Sequence, residues 1–133
     1  MHEKPKLTIA IDGPSGSGKS SVSKEVARHF GLAYLDTGAM YRAATWYVLE
    51  RGIDLADAEA ISQAVVEMPL VFGTNIKEEE ILIGSTDVRE QIRSERVSAG
   101  VSAVASVPAV REHLIGLQRW AIGHAVNGIV AEG

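Results

Sequence analysis

The hydrophobic positions near the start of the chain change from a strand pattern to a helical pattern across a glycine-rich segment. Leu7–Ile11 is a short apolar run of the kind that forms a buried strand. Between residues 21 and 30 the apolar positions recur at three- and four-residue spacing, which predicts an amphipathic helix. Gly31 is placed to end that helix, because glycine readily adopts the left-handed conformation found there. The pattern therefore predicts a strand, a glycine loop and a helix in succession.

The alternation of strand and helix continues to residue 67. Leu32–Leu35 predicts a second short buried strand, which is ended by Asp36–Gly38. The apolar spacing then predicts a helix over about 39–51 and another over 57–67. This order is typical of a parallel sheet that is covered by helices.

Short β segments then interrupt the helical pattern. Because they follow one another closely, they favour antiparallel hairpins over parallel crossover connections. They predict a small β insert, residues 67–90, in a core made of residues 1–66 and 91–133. The segments are 70–72, 80–83 and a weaker 87–88.

After the insert, the chain returns to helices and one last strand. Helical spacing resumes near Ile92, breaks at Ser106–Val107, and continues in a helix that begins at Pro108. Asn127–Gly128 predicts a turn, and Ile129–Ala131 begins a third buried strand. Parallel sheets rarely consist of three strands, so we expect this chain to be part of a larger domain.

The glycine-rich segment Gly13–Ser20 fits the phosphate-loop pattern G-x-x-x-x-G-K-[ST] at every fixed position. Its glycines let backbone amides approach an anion, and the helix N-terminus adds positive potential. Lys19 is expected to reach the β- and γ-phosphates, and the Ser20 hydroxyl to bind Mg²⁺. The alternative is a chance Gly/Ser turn before a lysine, which the strand–helix context disfavours. The predicted ATP-binding residues are Gly13, Pro14, Ser15, Gly16, Ser17, Gly18, Lys19, Ser20 and Ser21.

The motif and the element order together predict the fold class. It is α/β, with a P-loop NTPase-type parallel sheet core, flanking helices and a small antiparallel β insert. A second segment, Asp36–Arg42, lies where the second strand meets a helix and contains a hydroxyl, a glycine and an arginine. Ligands of open α/β sheets bind at such strand ends, so the segment predicts a second, phosphorylated ligand. A capped helix start, with Asp36 or Thr37 as the N-cap, is the alternative.

Composition narrows the function classes. The 133 residues carry a formal net charge of -4, which argues against nucleic acid or an anionic membrane as the main partner. The sequence has no cysteine, which excludes disulfides and thiol catalysis within it. It shows no signal-peptide pattern and no apolar run of membrane-spanning length, so a cytoplasmic location is expected.

Several motifs resemble those of the bacterial cytidylate kinase family. The two that carry most of the resemblance are Ile11–Lys19 and Leu35–Arg42. Further similar stretches are Ser102–Ala105, Val107–Arg111 and Val130–Gly133, and together they span the chain. The resemblance implies transfer of a phosphoryl group from ATP to CMP or dCMP, with Mg²⁺, by a monomer in pyrimidine nucleotide metabolism.

The resemblance also implies roles for individual residues. Lys19 and Arg42 would be catalytic, since they supply positive charge to the phosphates, and Ser20 would be the metal ligand. Ser15 would lie between the two phosphate groups, and Arg42 would hold the acceptor phosphate. The implied acceptor-binding residues are Ser15, Thr37, Tyr41, Arg42, Ser102 and Arg111.

The chain also departs from the family pattern. The Arg-Asp pair expected after Gly133, the family's mobile lid and later strands and arginines are missing, so this piece alone is expected to be inactive. Glu132 is either a strand-end carboxylate that approaches Mg²⁺ through water or a charge in solvent. Arg89, Arg93 and Arg96 are spaced to share one helical face, which is expected to be solvated.

Three alternative functions stay open. One is another small-molecule P-loop kinase, acting on UMP, AMP or shikimate. A second is a nucleotide-dependent switch module, although the sequence shows no water-positioning residue of the kind that hydrolysis requires. The third is a segment that only binds phosphates.

Overall fold

The computed structural model describes residues 7–12, 19–76, 80–125 and 127–133, with only the backbone of 19 and 20. In chain order, the elements are β1 (Leu7–Ile11), α1 (Lys19–Phe30), β2 (Ala33–Asp36), α2 (Thr37–Glu50), α3 (Ala58–Glu67), β3 (Leu70–Phe72), β4 (Ile81–Ile83), β5 (Thr86–Asp87), a 3₁₀ turn (Gln91–Arg93), α4 (Glu95–Ala105), α5 (Pro108–His124) and β6 (Gly128–Glu132). The predicted α/β fold class is confirmed, with a parallel sheet, helices and a small antiparallel sheet.

The parallel sheet has three strands in the order β1–β6–β2. Strand β6, the last in the sequence, lies in the centre, and both of its neighbours run parallel to it. Ile9 and Tyr34 are both register partners of Val130, so the three side chains share one face of the sheet. The sheet therefore places the ends of all three strands along one edge.

Helix α1 covers that face of the sheet. Its Ala27 is fully buried in a cluster with Leu32, Tyr34 and Val130. Partly buried apolar residues of β1, α1 and the segment before residue 77 surround this cluster, namely Ile9, Ile11, Val26 and Ile76. Burial of this apolar surface holds α1 against the strands, and with it the N-terminus that follows the glycine-rich segment.

The contacts divide the chain into two compact units. One comprises Met1–Gly38, Gly73–Glu79 and Gln118–Gly133, and its described part contains the parallel sheet and α1. The other comprises Ala39–Phe72 and Glu80–Leu117, and contains the antiparallel sheet and most of the remaining helices. The division predicted from the sequence, with an insert at residues 67–90 in a core made of residues 1–66 and 91–133, stays a prediction.

In the second unit, close packing of α2 against α4 depends on a small residue. A Cβ added to Gly100 would lie 3.0 Å from Cγ2 of Thr45 and 3.4 Å from Cδ1 of Leu55. Two helices of this unit have side-chain caps, since Asp57 accepts from the Ala60 amide and Ser94 from the Val97 amide. The predicted antiparallel sheet is confirmed, with β4 between β3 and β5.

Two helix boundaries differ from the prediction. The helix expected from about Ala39 begins at Thr37, directly after β2 ends at Asp36. The helix expected near Ile92 begins at Glu95, after the 3₁₀ turn. Arg89, Arg93 and Arg96 therefore do not share one helix, and each is exposed. In the described part of the chain, no helix is long and apolar enough to cross a membrane.

Asp87, at the end of β5, forms an ion pair with Arg89, so we expect the stability of the fold to depend on pH here. Arg89 donates from Nη2 to Oδ2 of Asp87 at 2.8 Å and from its backbone amide to Oδ1 at 3.0 Å. The side-chain bond first, and then the backbone bond, hold the pKa of Asp87 below its ordinary value of 3.8. Because the folded pKa is the lower one, the pair stabilises the fold above the unfolded pKa and stops doing so as the pH falls through the folded pKa.

We therefore expect a ¹³C NMR titration of the Asp87 carboxyl carbon to give a pKa below 3.8. Replacing Arg89 with glutamine removes the charged donor, so the titration should move up toward the ordinary value. Equal pKa values in the two proteins would contradict this assignment.

Candidate active site

The carboxyl ends of the three parallel strands bring polar residues to one edge of the sheet. Asp12 follows β1 directly, Glu132 ends β6 and Asp36 ends β2. Glu132 is the register partner of both Ile11 and Asp36, so the three strand ends lie level with one another. This edge is where open α/β sheets bind their ligands.

Only part of the predicted phosphate loop lies within the described residues. Of the predicted ATP-binding residues, those of 13–18 lie outside the described residues. Lys19 and Ser20 form the first turn of α1, and Ser21 after them is exposed. The predicted strand before this segment and the predicted helix after it are confirmed, but β1 is exposed or partly buried and not the buried strand that was expected. The first amides of a helix have no partner within the helix, so the N-terminus of α1 is suited to an anion.

Thr37, a predicted acceptor residue, is fixed at this edge by the central strand. Its hydroxyl donates to the carbonyl oxygen of Glu132 at 2.6 Å. The next amide, of Gly133, donates to the carbonyl of Ile11 at 2.9 Å, which extends the pairing of β6 with β1. A Cβ added to Gly133 would lie 3.6 Å from Thr37 Oγ1 and 3.8 Å from Asp12 Oδ1. Thr37, Gly133 and Asp12 therefore meet at one point of the edge.

Glu132 is not the solvent-exposed charge that one reading of the sequence offered. Only 4% of its surface is exposed, and it accepts a hydrogen bond from the Tyr34 hydroxyl. A buried carboxylate is costly without such donors, so its burial here is part of how the site is built. Sequence reasoning did not select Tyr34 as a site residue, because 98 residues separate it from Glu132.

The remaining predicted acceptor residues belong to the second unit. Arg42 is partly buried on α2, and its Nη1 donates to the Ile92 carbonyl and to Oγ of Ser98, both at 3.3 Å. Tyr41 is partly buried beside it in sequence, whereas Ser102 on α4 and Arg111 on α5 are exposed. Of these, the structure gives only Arg42 a described side-chain partner, and Ser98 is a residue that sequence reasoning missed.

The donor atoms at the sheet edge suit Mg²⁺. Asp12, Asp36, Glu132 and Thr37 supply carboxylate and hydroxyl oxygens, which this cation prefers. Within the described ranges, no three His, Asp or Glu side chains form a group that could hold a metal by themselves. Mg²⁺ is commonly held by one or two protein oxygens together with substrate phosphates, so the residues fit a cation that arrives with a polyphosphate.

Comparisons with known proteins are consistent over nearly the whole chain. A family model described as cytidylate kinase matches residues 9–133. A cytidylate kinase of Rhodococcus opacus (strain B4) is 53% identical over 127 residues, which cover 96% of this chain and 55% of that protein. The cytidylate kinase of Streptomyces avermitilis is 48% identical, over 97% of this chain and 56% of the relative. The cytidylate kinase of Nocardia farcinica is 49% identical, over 100% of this chain and 57% of the relative. The chain thus spans about half the length of the curated relatives it matches.

Proposed function

The chain belongs to the cytidylate kinase family, and from this premise we propose that the whole protein transfers the γ-phosphoryl group of ATP to CMP or dCMP. The products would be ADP and CDP or dCDP. The observation that carries the proposal is the family match over 9–133, which includes the phosphate loop and every predicted acceptor residue. The order of strand β1, the glycine-rich sequence motif and helix α1 supports it independently.

The ATP side of the proposed site is built from the first unit. Backbone amides of residues 13–18 and of the α1 N-terminus would bind the phosphate oxygens. Lys19 would bind the β- and γ-phosphates, and its charge would offset the charge that spreads over the transferring group. Ser20, with Glu132 acting through water, would hold Mg²⁺. When bound, Mg²⁺ would supply positive charge that neutralises part of the charge of the phosphates.

The acceptor side would position a nucleoside monophosphate. Arg42 would bind its phosphate, and the contacts with Ser98 and the Ile92 carbonyl support this role because they restrain a long side chain. Ser102 and Arg111 would face the cytosine, as the family resemblance implies. The other proposed contacts come from Ser15, Thr37 and Tyr41.

The proposed reaction needs no general base. The attacking atom is a phosphate oxygen of the acceptor, which already carries negative charge near neutral pH. The protein therefore has to align this oxygen with the γ-phosphorus, neutralise charge and exclude water. The proposed ligands are ATP, CMP and dCMP. We propose further that the protein is a monomer, lies in the cytoplasm and binds no nucleic acid.

Coupled measurement of ADP release tests the proposal. The acceptors are CMP, dCMP, UMP and AMP, with one reaction lacking any acceptor, for this chain and for a version of the relatives' length. Strict dependence on CMP or dCMP in the longer version is the expected result. Preference for UMP or AMP would make the protein a different nucleotide kinase. ADP release without an acceptor would favour a hydrolytic switch and would contradict the proposal.

A further inference from the structure

Tyr34 connects three elements of the first unit. It is the second residue of β2, and its ring packs in the buried cluster with Ala27 of α1 and Val130 of β6. The ammonium group of Lys24, on α1, lies 5.7 Å from the ring centroid, within the range of a cation–π contact. The hydroxyl extends beyond the ring along the sheet and donates to the carboxylate of Glu132. The apolar part of Tyr34 is therefore fixed by packing, and its polar end reaches the sheet edge.

The bond has a directional consequence for Glu132. A glutamate side chain has several rotatable bonds, and a strand-end carboxylate would ordinarily turn toward water. Here it is buried against the face that α1 covers, with a donor from a neighbouring strand. Because packing fixes the donor, the hydrogen bond fixes the position of the carboxylate.

We propose that Tyr34 is a positioning residue, whose hydroxyl holds the Glu132 carboxylate where it supports Mg²⁺ bound with a nucleotide triphosphate. This inference rests on the proposed function, since it requires ATP to bind at the sheet edge. Outer-shell partners of a bound metal typically change its affinity by about 10- to 100-fold when they are lost, and Glu132, acting through water, would be such a partner. The Tyr34 hydroxyl should therefore affect the Mg²⁺-dependent part of ATP affinity and not the metal-free part.

The experiment compares ATP dissociation constants in Mg²⁺ and in EDTA, measured by calorimetry on the 133-residue chain. In Tyr34→Phe the ring stays in its cluster and only the hydroxyl is lost. The expected result is a gain in affinity from Mg²⁺ that is about tenfold smaller than in the parent chain, with little change in EDTA. Tyr47→Phe is the matched control, because Tyr47 is a second buried tyrosine in the other unit. This control should keep the parent ratio of affinities.

Two further variants separate positioning from packing. Glu132→Gln should lose the same Mg²⁺-dependent gain, and Tyr34→Phe combined with it should be no worse than Glu132→Gln alone. Glu132→Asp keeps the charge but shortens the side chain, so it should show the same loss of Mg²⁺-dependent affinity. This variant tests the position of the carboxylate even if Tyr34→Phe folds poorly. Melting temperatures of all variants show how much of each effect comes from the fold.

Several results would overturn the inference. One is an unchanged Mg²⁺ gain in Tyr34→Phe or in Glu132→Gln. Another is an equal loss of affinity in Mg²⁺ and EDTA with a lower melting temperature, which would make Tyr34 a packing residue only. If the parent chain bound no ATP in either Mg²⁺ or EDTA, the proposed ATP site would be contradicted. That result differs from one in which ATP binds but the Tyr34 hydroxyl has no effect.

Discussion

Replacing Lys19 with alanine is expected to lower kcat by about 100-fold or more, with a much smaller effect on folding. Lys19 is the lysine of the phosphate-loop motif and the first residue of α1. Its ammonium group would bind the β- and γ-phosphates most strongly as charge shifts between them in the transition state. The first turn of a helix tolerates alanine well, so the melting temperature should change little.

The measurement is coupled ADP release with CMP in a version of the protein that has the relatives' length, together with a thermal unfolding curve. Arg28→Ala is the matched control on the same helix, since it removes an exposed cation whose described partner is Glu25. Exposed pairs of this kind contribute little, so the control should retain near-parental turnover. A Lys19→Ala protein with full turnover would refute the proposed role of the phosphate loop.

The sequence predicted the parts of the site that depend on local pattern. Leu7–Ile11 and Leu32–Leu35 are apolar runs, and their strands appear within two residues of the expected positions. The glycine motif predicted where the first helix starts, because its chemistry requires a helix N-terminus directly after the loop. The cluster of short strands before residue 90 predicted an antiparallel sheet for a similar reason, since short connections cannot make parallel crossovers.

The sequence did not predict features that depend on strand order and register. Nothing local indicates that β6 lies between β1 and β2, yet this order brings the Tyr34 hydroxyl to the carboxylate of Glu132 and the Thr37 hydroxyl to its carbonyl oxygen. Read alone, Tyr34 is an aromatic residue in an apolar run, and Glu132 is a charge at a strand end. Their partnership follows from pairing in which Tyr34 aligns with Val130, two residues before Glu132. The contact of Arg42 with Ser98 likewise depends on packing across 56 residues.

Register also explains why Gly128 should be the most sensitive of the described glycines. It begins β6 opposite Leu7 with a φ of 121°, a conformation that residues with a side chain rarely adopt. A Cβ placed there would lie 2.0 Å from the Leu7 carbonyl oxygen and 2.7 Å from the Leu7 amide nitrogen. Both atoms belong to backbone, so the strands would have to separate for the methyl group to fit.

We therefore expect Gly128→Ala to lower the free energy of unfolding by about 3 kcal/mol, from backbone strain together with lost pairing at the start of β1. Urea unfolding of the 133-residue chain measures the change. Gly116→Ala is the control: Gly116 lies within α5 and a Cβ there meets nothing within 4 Å, so alanine should raise stability by up to about 1 kcal/mol. If both variants were equally stable, β6 could not be paired with β1 in this register. The sheet edge that brings Asp12, Thr37 and Glu132 together depends on that register, so the same experiment tests the foundation of the proposed site.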